Sequence, residues 1–148
     1  MYFTYVKYNS LPIINSTSTT MPSAENLARY KNHLVALYNH AFDTNYSKDH
    51  QFTEEELFAL HPEHVFAYFC QTAYGTSTPL ETDRPTKCRS STLEFAKKAI
   101  SSFMPNRLIA WNAQSVTGNP THSVKVNDLI KRVKKEEVRK LFAFKSLQ

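Results

Sequence analysis

Glycine is almost absent from this chain, which has only two glycines in 148 residues. Phosphate-binding loops and the tight turns of β-sheet proteins depend on glycine, because its backbone reaches positive φ without strain. The shortage therefore argues against both kinds of protein. Cysteine is equally scarce. Cys70 and Cys88 lack the spacing of a zinc or redox motif, so we expect free thiols, with a disulfide as the less favoured alternative.

Several other signals are missing as well. No run of about 18 apolar residues indicates a membrane span, and the N-terminus lacks the pattern of a secretory signal, so we expect an intracellular protein. No HExxH motif, phosphate-binding loop or Ser/Cys–His–carboxylate set indicates catalysis, and we expect no metal and no cofactor. His61 and His64 are a weak metal signal without further ligands. A small hydrolase without a recognisable motif is one alternative function, the third after the two given at the end of this subsection.

Positive charge is concentrated in the second half of the chain. Residues 1–60 contain four Lys/Arg and six Asp/Glu, a net charge of −2, whereas residues 61–148 contain fourteen and seven, a net charge of +7. A basic half on a near-neutral protein favours an anionic partner such as nucleic acid or a membrane surface. A solvated basic face that only aids solubility is the alternative.

Amphipathic helical patterns follow one another along most of the chain. Ser23 is the predicted N-cap of a first helix. Thr53 and Glu56 form a predicted capping box at the second, and Pro62 and Gly75 fit the start and the end of the third. Five such helices with short connections predict an all-α bundle, the fold class expected here. The period-two alternation of a sheet is scarce outside the first ten residues.

Two further helices enclose a proline-containing loop. The fourth helix is expected to begin with a capping box between Ser91 and Glu94. The loop after it is expected to tuck three large apolar side chains into the core, namely Leu108, Ile109 and Trp111. The fifth helix is expected to bury a stripe formed by Val126, Leu129, Ile130, Val133 and Leu141.

These patterns predict one helical domain at residues 22–141. It lies between a poorly ordered N-terminal tail at 1–21 and a C-terminal tail at 142–148. A Ser/Thr tract supports the assignment of the first tail. The polar linker at 76–89 separates two helical pairs and is the predicted subdomain boundary.

Basic and hydroxyl side chains gather at the start of the fourth helix and along the fifth. Phosphate oxygens are bound by such side chains and by helix N-termini. The candidate DNA-binding residues are Lys87, Arg89, Ser90, Ser91, Thr92, Lys97, Lys98, Lys131, Arg132, Lys135 and Arg139. We expect them to form one continuous anion-binding wall. The alternatives are that the serines merely cap the helix and that the fifth helix presents a solvated face.

Several segments of the second half occur together in a known family. They are Lys97 to Arg107 (KKAISSFMPNR), Trp111-Asn112, Gly118 to Thr121 (GNPT) and Val126 to Lys140 (VNDLIKRVKKEEVRK). With the capped helices around them, the chain resembles the N-terminal core-binding (SAM-like) domain of mobile-element tyrosine recombinase-like proteins of unicellular eukaryotes. The resemblance covers roughly residues 23–141.

The resemblance implies an all-α domain that clamps one face of double-stranded DNA, other recombinase protomers as further partners, and a nuclear location. It also implies a second, catalytic domain with a Tyr nucleophile, for which this sequence leaves no room. We therefore expect a truncated module without catalysis and assign the nucleophile role to no tyrosine. The alternative is a helical protein-interaction or self-association module, helped by Phe142 and Phe144.

Overall fold

The structure, a computed structural model, describes residues 23–146, which form five α-helices and one 3₁₀ turn. The elements are α1 (Ala24–Phe42), α2 (Glu54–Phe58), α3 (Pro62–Tyr74), α4 (Ser90–Ser101), the 3₁₀ turn (Pro120–His122) and α5 (Val124–Ser146). Within these residues, β-type pairing is confined to two isolated bridges in the loop after α4. The predicted all-α bundle is confirmed. None of these helices combines the length and the apolar character needed to cross a membrane.

Local side-chain chemistry sets the ends of the first three helices. Ser23 caps α1, because its hydroxyl accepts a hydrogen bond from the Asn26 amide at 3.2 Å. The predicted capping box opens α2: Thr53 Oγ1 accepts from the Glu56 amide at 3.1 Å, and the Glu56 carboxylate accepts from the Thr53 amide at 2.9 Å. Gly75 ends α3 at a φ of 85°, a left-handed conformation that suits glycine.

A polar network that the sequence patterns did not indicate holds the loop between α1 and α2. The Tyr46 hydroxyl donates to Glu56 Oε2 at 2.9 Å, and His50 Nε2 lies 3.1 Å from both carboxylate oxygens. The Asn39 side chain binds the amide and the carbonyl of Tyr46. Burial by itself would raise the pKa of Glu56, but the hydrogen bonds that its carboxylate accepts outweigh burial and lower that pKa.

The helices α4 and α5 lie antiparallel and in contact. Hydrogen bonds join the start and the middle of α4 to α5, from Ser90 to Glu137 and from Lys97 to Asn127. At the end of α4, Ser101 accepts a hydrogen bond from Asn119, which precedes the 3₁₀ turn. On the other side of α4, α1 packs against it, and the rings of Tyr30 and Phe95 meet edge to face with 5.5 Å between centroids. α3 packs against α5.

One hydrophobic core joins helices from both sides of the linker. Fully buried side chains come from α1, α3, α4 and α5 and include Leu37, Phe69, Ile100 and Val133. The linker at 76–89 is irregular, as predicted, but the packing of α1 on α4 and of α3 on α5 crosses it. It therefore connects parts of a single core.

The loop after α4 is not tucked into the core as expected. Leu108 and Ile109 are 86% and 57% exposed. Trp111 is half-buried against the ring of His61, with 5.5 Å between centroids. The expectation failed because the loop is held together by polar groups, described below, rather than by its apolar side chains.

The end of α5 also differs from the prediction. The helix continues through the predicted C-terminal tail as far as Ser146, and Leu141 is 53% exposed rather than buried. The reason is that Glu137 already contacts the first residue of α4, so the later turns of α5 extend past their partner helix. The predicted tail at 1–21, and residues 147–148, lie outside the described residues.

Candidate nucleic-acid interface

The start of α4 does not carry the side-chain cap predicted for it. Arg89 is the N-cap residue and its side chain makes no capping hydrogen bond, so the capping box between Ser91 and Glu94 is wrong. A carboxylate from α5 takes this role, because Glu137 Oε2 accepts a hydrogen bond from the Ser90 amide at 2.6 Å. The hydroxyl and the amide of Ser90 lower the pKa of Glu137. The ionised carboxylate suits the positive end of the helix.

Ser90 therefore does not belong to an outer DNA-binding surface. It is 5% exposed, and its amide and hydroxyl are both engaged by Glu137. The two residues are 47 positions apart in the chain. Local spacing could not indicate this contact, which occupies the helix N-terminus that a phosphate group would otherwise approach.

The predicted residues Ser91 and Thr92 face α1 rather than α5. They line a cleft of about 510 Å³, whose other lining residues are Arg29, Asn32, His33 and Phe95. The Arg29 guanidinium lies over the Phe95 ring, 5.1 Å from its centroid. Burial, and then the charge of Arg29, lower the pKa of His33, so this imidazole is neutral at pH 7. The cleft is thus polar, with one positive charge from Arg29.

Two predicted basic side chains make contacts within the protein. Lys97 is half-buried, and its Nζ donates to Asn127 Oδ1 at 2.5 Å. Burial lowers the pKa of Lys97. The Arg132 guanidinium donates to the Tyr74 hydroxyl at 3.2 Å, which links α5 to α3. These cations still contribute charge, but part of their hydrogen-bonding capacity is used to hold α5 in place.

Two of the three acidic residues of α5 are engaged by other side chains or by backbone amides of the protein. The helix contains eight Lys/Arg and three Asp/Glu. Glu136 is 8% exposed, with Arg84 at 3.6 Å and Arg139 at 3.4 Å from its carboxylate oxygens. Glu137 is held at the start of α4. Asp128 is therefore the one carboxylate that α5 presents fully to solvent within the described chain.

The contacts of these two glutamates are features of the candidate surface that the sequence interpretation missed. The spacing contained a signal for Glu136, since it follows Leu129 by seven residues and Val133 by three, on the buried stripe of the helix. No spacing signal pointed to Glu137, whose partner lies on another helix. Both carboxylates are thus engaged inside the protein, Glu136 by Arg84 and Arg139 and Glu137 by Ser90.

Three lysines form what we call the basic ridge of α5: Lys131, Lys134 and Lys135. All three are exposed, and their i, i+3, i+4 spacing places them on one face within about one helical turn of 5.4 Å. No side chain in the described chain forms a hydrogen bond or an ion pair with them. Lys134 was not among the predicted residues. Three predicted residues before the ridge are also exposed, namely Lys87, Arg89 and Lys98.

The expectation of one continuous wall is therefore wrong. Side chains rotate by about 100° per residue around a helix, so neighbours in sequence face different partners. Ser91 and Thr92 belong to the cleft beside α1, and Lys97 belongs to the contact with α5. The basic ridge faces solvent on α5. The eleven predicted residues therefore do not all share one surface, and Lys131 and Lys135 are the two that lie on the ridge.

No constellation typical of metal binding appears among residues 23–146, where no three His, Cys, Asp or Glu side chains group together. His64 Nδ1 accepts a hydrogen bond from the His61 amide at 2.9 Å and serves as a helix cap. Burial raises the pKa of Cys70 to about 11, and burial together with Glu137 raises that of Cys88. Neither thiol is an activated nucleophile at pH 7.

Comparison with known proteins adds no relative from which a function could be transferred. No protein-family model, no curated protein and no solved structure matches the chain. The family resemblance of the sequence motifs stays a prediction, and function has to be inferred from the chemistry of the surface.

Proposed function

We propose that this chain is a non-catalytic module that binds double-stranded DNA through the basic ridge of α5. The observation that carries the proposal is that Glu136 is buried in ion pairs with Arg84 and Arg139, while Glu137 is held by Ser90. The three lysines of the basic ridge have no such partner, and Asp128 is the exposed carboxylate of α5. Such an excess of one charge attracts a polyanion and raises its local concentration.

Phosphate groups are the ligands that the basic ridge fits. Lysine ammonium groups are compact point charges that neutralise phosphates without reading base sequence. Arg89 and Lys98 on α4 extend the positive surface beyond α5. The motif resemblance to core-binding domains of mobile-element recombinases supports duplex DNA as the form of nucleic acid. With that partner, the proposal places the protein in the nucleus and makes other recombinase protomers its natural neighbours.

Salt dependence of binding tests the proposal. Each neutralised phosphate contributes roughly −0.9 to the slope of log K against log salt, so three ridge lysines predict a slope of about −3 or steeper. The full chain should bind a mixed-sequence duplex of about two helical turns in fluorescence anisotropy at 50 mM salt. The double variant Lys131→Glu, Lys135→Glu should weaken binding at least about tenfold and flatten the slope by about 2.

A matched control distinguishes the effect of the basic ridge on DNA binding from the effect of net charge. Lys48→Glu changes the charge by the same amount as Lys131→Glu, at an exposed position in the loop before α2. We expect Lys48→Glu to bind DNA almost as well as the unchanged chain. No binding at low salt, a flat salt slope, or equal losses in the two single variants would each contradict the proposal.

A second candidate function is self-association, which is favoured by the apolar end of α5. Four large side chains there are 46% to 65% exposed: Val138, Leu141, Phe142 and Phe144. Several large exposed apolar side chains on one short segment are typical of interaction sites. Sedimentation velocity over a range of protein concentrations distinguishes the candidates. A monomer with salt-sensitive DNA binding favours the first, and a concentration-dependent dimer that ignores DNA favours the second.

A further inference from the structure

The loop between α4 and the 3₁₀ turn, residues 102–119, holds two adjacent large apolar side chains out in solvent. Leu108 is 86% exposed and Ile109 is 57% exposed. A single exposed leucine is ordinary, but two adjacent apolar residues on a projecting loop are typical of a contact surface. Leu108 and Ile109 belong neither to the buried core nor to the basic ridge.

The backbone that carries these side chains is fixed by one buried residue. Asn119 is fully buried, and its Nδ2 donates to Ser101 Oγ at 2.7 Å and to the Arg107 carbonyl at 2.9 Å. The Asn119 amide donates to the Ile109 carbonyl at 2.8 Å. The residues on both sides of Leu108 are therefore held by the same asparagine. The backbone at Leu108 therefore loses little conformational freedom on binding.

The surroundings of the loop are positively charged. No Asp or Glu occurs between Glu94 and Asp128, and the stretch contains four basic residues: Lys97, Lys98, Arg107 and Lys125. The loop also contacts the 3₁₀ turn before α5, since the Trp111 amide donates to the His122 carbonyl at 3.4 Å. The charge of Lys97 contributes, after burial, to the lowered pKa of His122, which places these two side chains near each other.

Leu108 and Ile109 form an apolar site surrounded by basic residues. This arrangement matches a partner whose surface is anionic and whose interior is apolar. Duplex DNA has this arrangement, with phosphates on its surface and stacked bases between them. A second copy of the chain fits less well, because its own basic surface would repel this one. The twelve residues of α4 span about 18 Å, so the loop and Arg89 at the opposite end both reach within one duplex turn of about 34 Å.

We infer that Leu108, supported by Ile109, inserts as a wedge between base pairs of the duplex and bends it. The inference rests on the proposed DNA-binding function and adds the mode of contact. Apolar side chains flanked by Lys or Arg unstack one base step from the minor groove and bend DNA by roughly 20° to 90°. The wedge supplies deformation, while the lysines supply the salt-dependent affinity.

The test measures bending and affinity separately on one DNA. A duplex of about 25 base pairs carries a donor and an acceptor dye at its ends, and a second duplex carries 2-aminopurine at successive steps. Binding of the full chain should raise energy transfer and should raise 2-aminopurine fluorescence at one step. In Leu108→Ser, Ile109→Ser both signals should disappear, whereas affinity should fall less than about tenfold and the salt slope should stay unchanged.

The exposed Leu80 of the linker provides the matched control, since it is 69% exposed and Leu80→Ser removes the same surface chemistry elsewhere. This variant should keep both signals. Salt-dependent binding without bending, or bending retained in the loop variant, overturns the wedge and leaves the proposed function standing. Absence of all duplex binding overturns both. If the loop variant instead loses binding to vesicles of anionic lipid, while DNA bending is unaffected, the loop is a membrane contact and the wedge is wrong.

Discussion

Replacement of Asn119 by alanine should have the largest effect of any single polar substitution in this protein. The side chain is fully buried and makes four hydrogen bonds. Two are donated by Nδ2, as described above, and two are accepted by Oδ1, from the Thr121 amide at 3.0 Å and the Thr121 hydroxyl at 2.8 Å. This one amide joins the end of α4, the loop and the 3₁₀ turn.

The size of the effect follows from what Asn119→Ala leaves behind. Thr121 is itself fully buried, so its amide and hydroxyl would lose their acceptor with no access to water. An unsatisfied buried polar group costs about 1–3 kcal/mol. Two such groups, with partial relief by relaxation of the loop, predict a loss of about 3–4 kcal/mol of unfolding free energy. For a chain of this length that corresponds to a fall in melting temperature of about 10 °C.

Urea unfolding of the full chain, followed by circular dichroism at 222 nm, measures this loss directly. Asn112→Ala is the control, because Asn112 is exposed and its Oδ1 accepts only from nearby amides of the same turn, those of Gln114 and Ser115. We expect it to cost less than about 1 kcal/mol. If Asn119→Ala also costs less than about 1 kcal/mol, the asparagine does not hold the loop, and the preorganisation argued for Leu108 fails with it.

Two further predictions concern backbone strain and pH. Gly118→Ala should destabilise the fold by at least about 2 kcal/mol in urea unfolding, because its φ is 108° and the new Cβ would lie 2.4 Å from the Ala110 carbonyl oxygen. Gly75→Ala, at a φ of 85° and with only ordinary van der Waals contact to the Lys87 side chain at 3.5 Å, should cost only about 1 kcal/mol. Equal costs for the two variants would refute the steric argument. Burial, and then His61, lower the pKa of His64 below its ordinary 6.5, so the folded state binds this proton less readily than the unfolded chain. The free energy of unfolding should therefore fall as pH drops below about 6.5, with two other histidines of lowered pKa acting in the same direction. Urea midpoints from pH 8 to 5 measure this fall, which His64→Gln should reduce. An unchanged fall in that variant would assign it to other groups.

Helix existence and most helix ends could be predicted from the sequence because local chemistry determines them. Ser23, the Thr53–Glu56 capping box and Gly75 act through contacts with residues at most four positions away, and each is where the spacing placed it. The apolar stripe at Val126 and Val133 is buried for the same reason: its period of 3.6 residues defines one face of a helix.

The candidate surface was predicted less well, because it depends on contacts between distant parts of the chain. The spacing of Ser91 and Glu94 resembles a capping box, but Glu137 from another helix provides the contact at the start of α4. Leu108 and Ile109 are apolar residues of the kind that usually lie in a core. Polar contacts fix the backbone of their loop so that both side chains are exposed to solvent.

The sequence alone determined that this protein is an all-α bundle with a basic second half, because helical periodicity, caps and net charge are local or additive properties. Only the tertiary structure decided which charges face outward. Glu136 and Glu137 carry the same charge as Asp128, but packing buries one, ties the other to Ser90 and leaves Asp128 in solvent. Composition determines how many charged side chains the protein has, whereas the packing of the helices determines which of them are exposed.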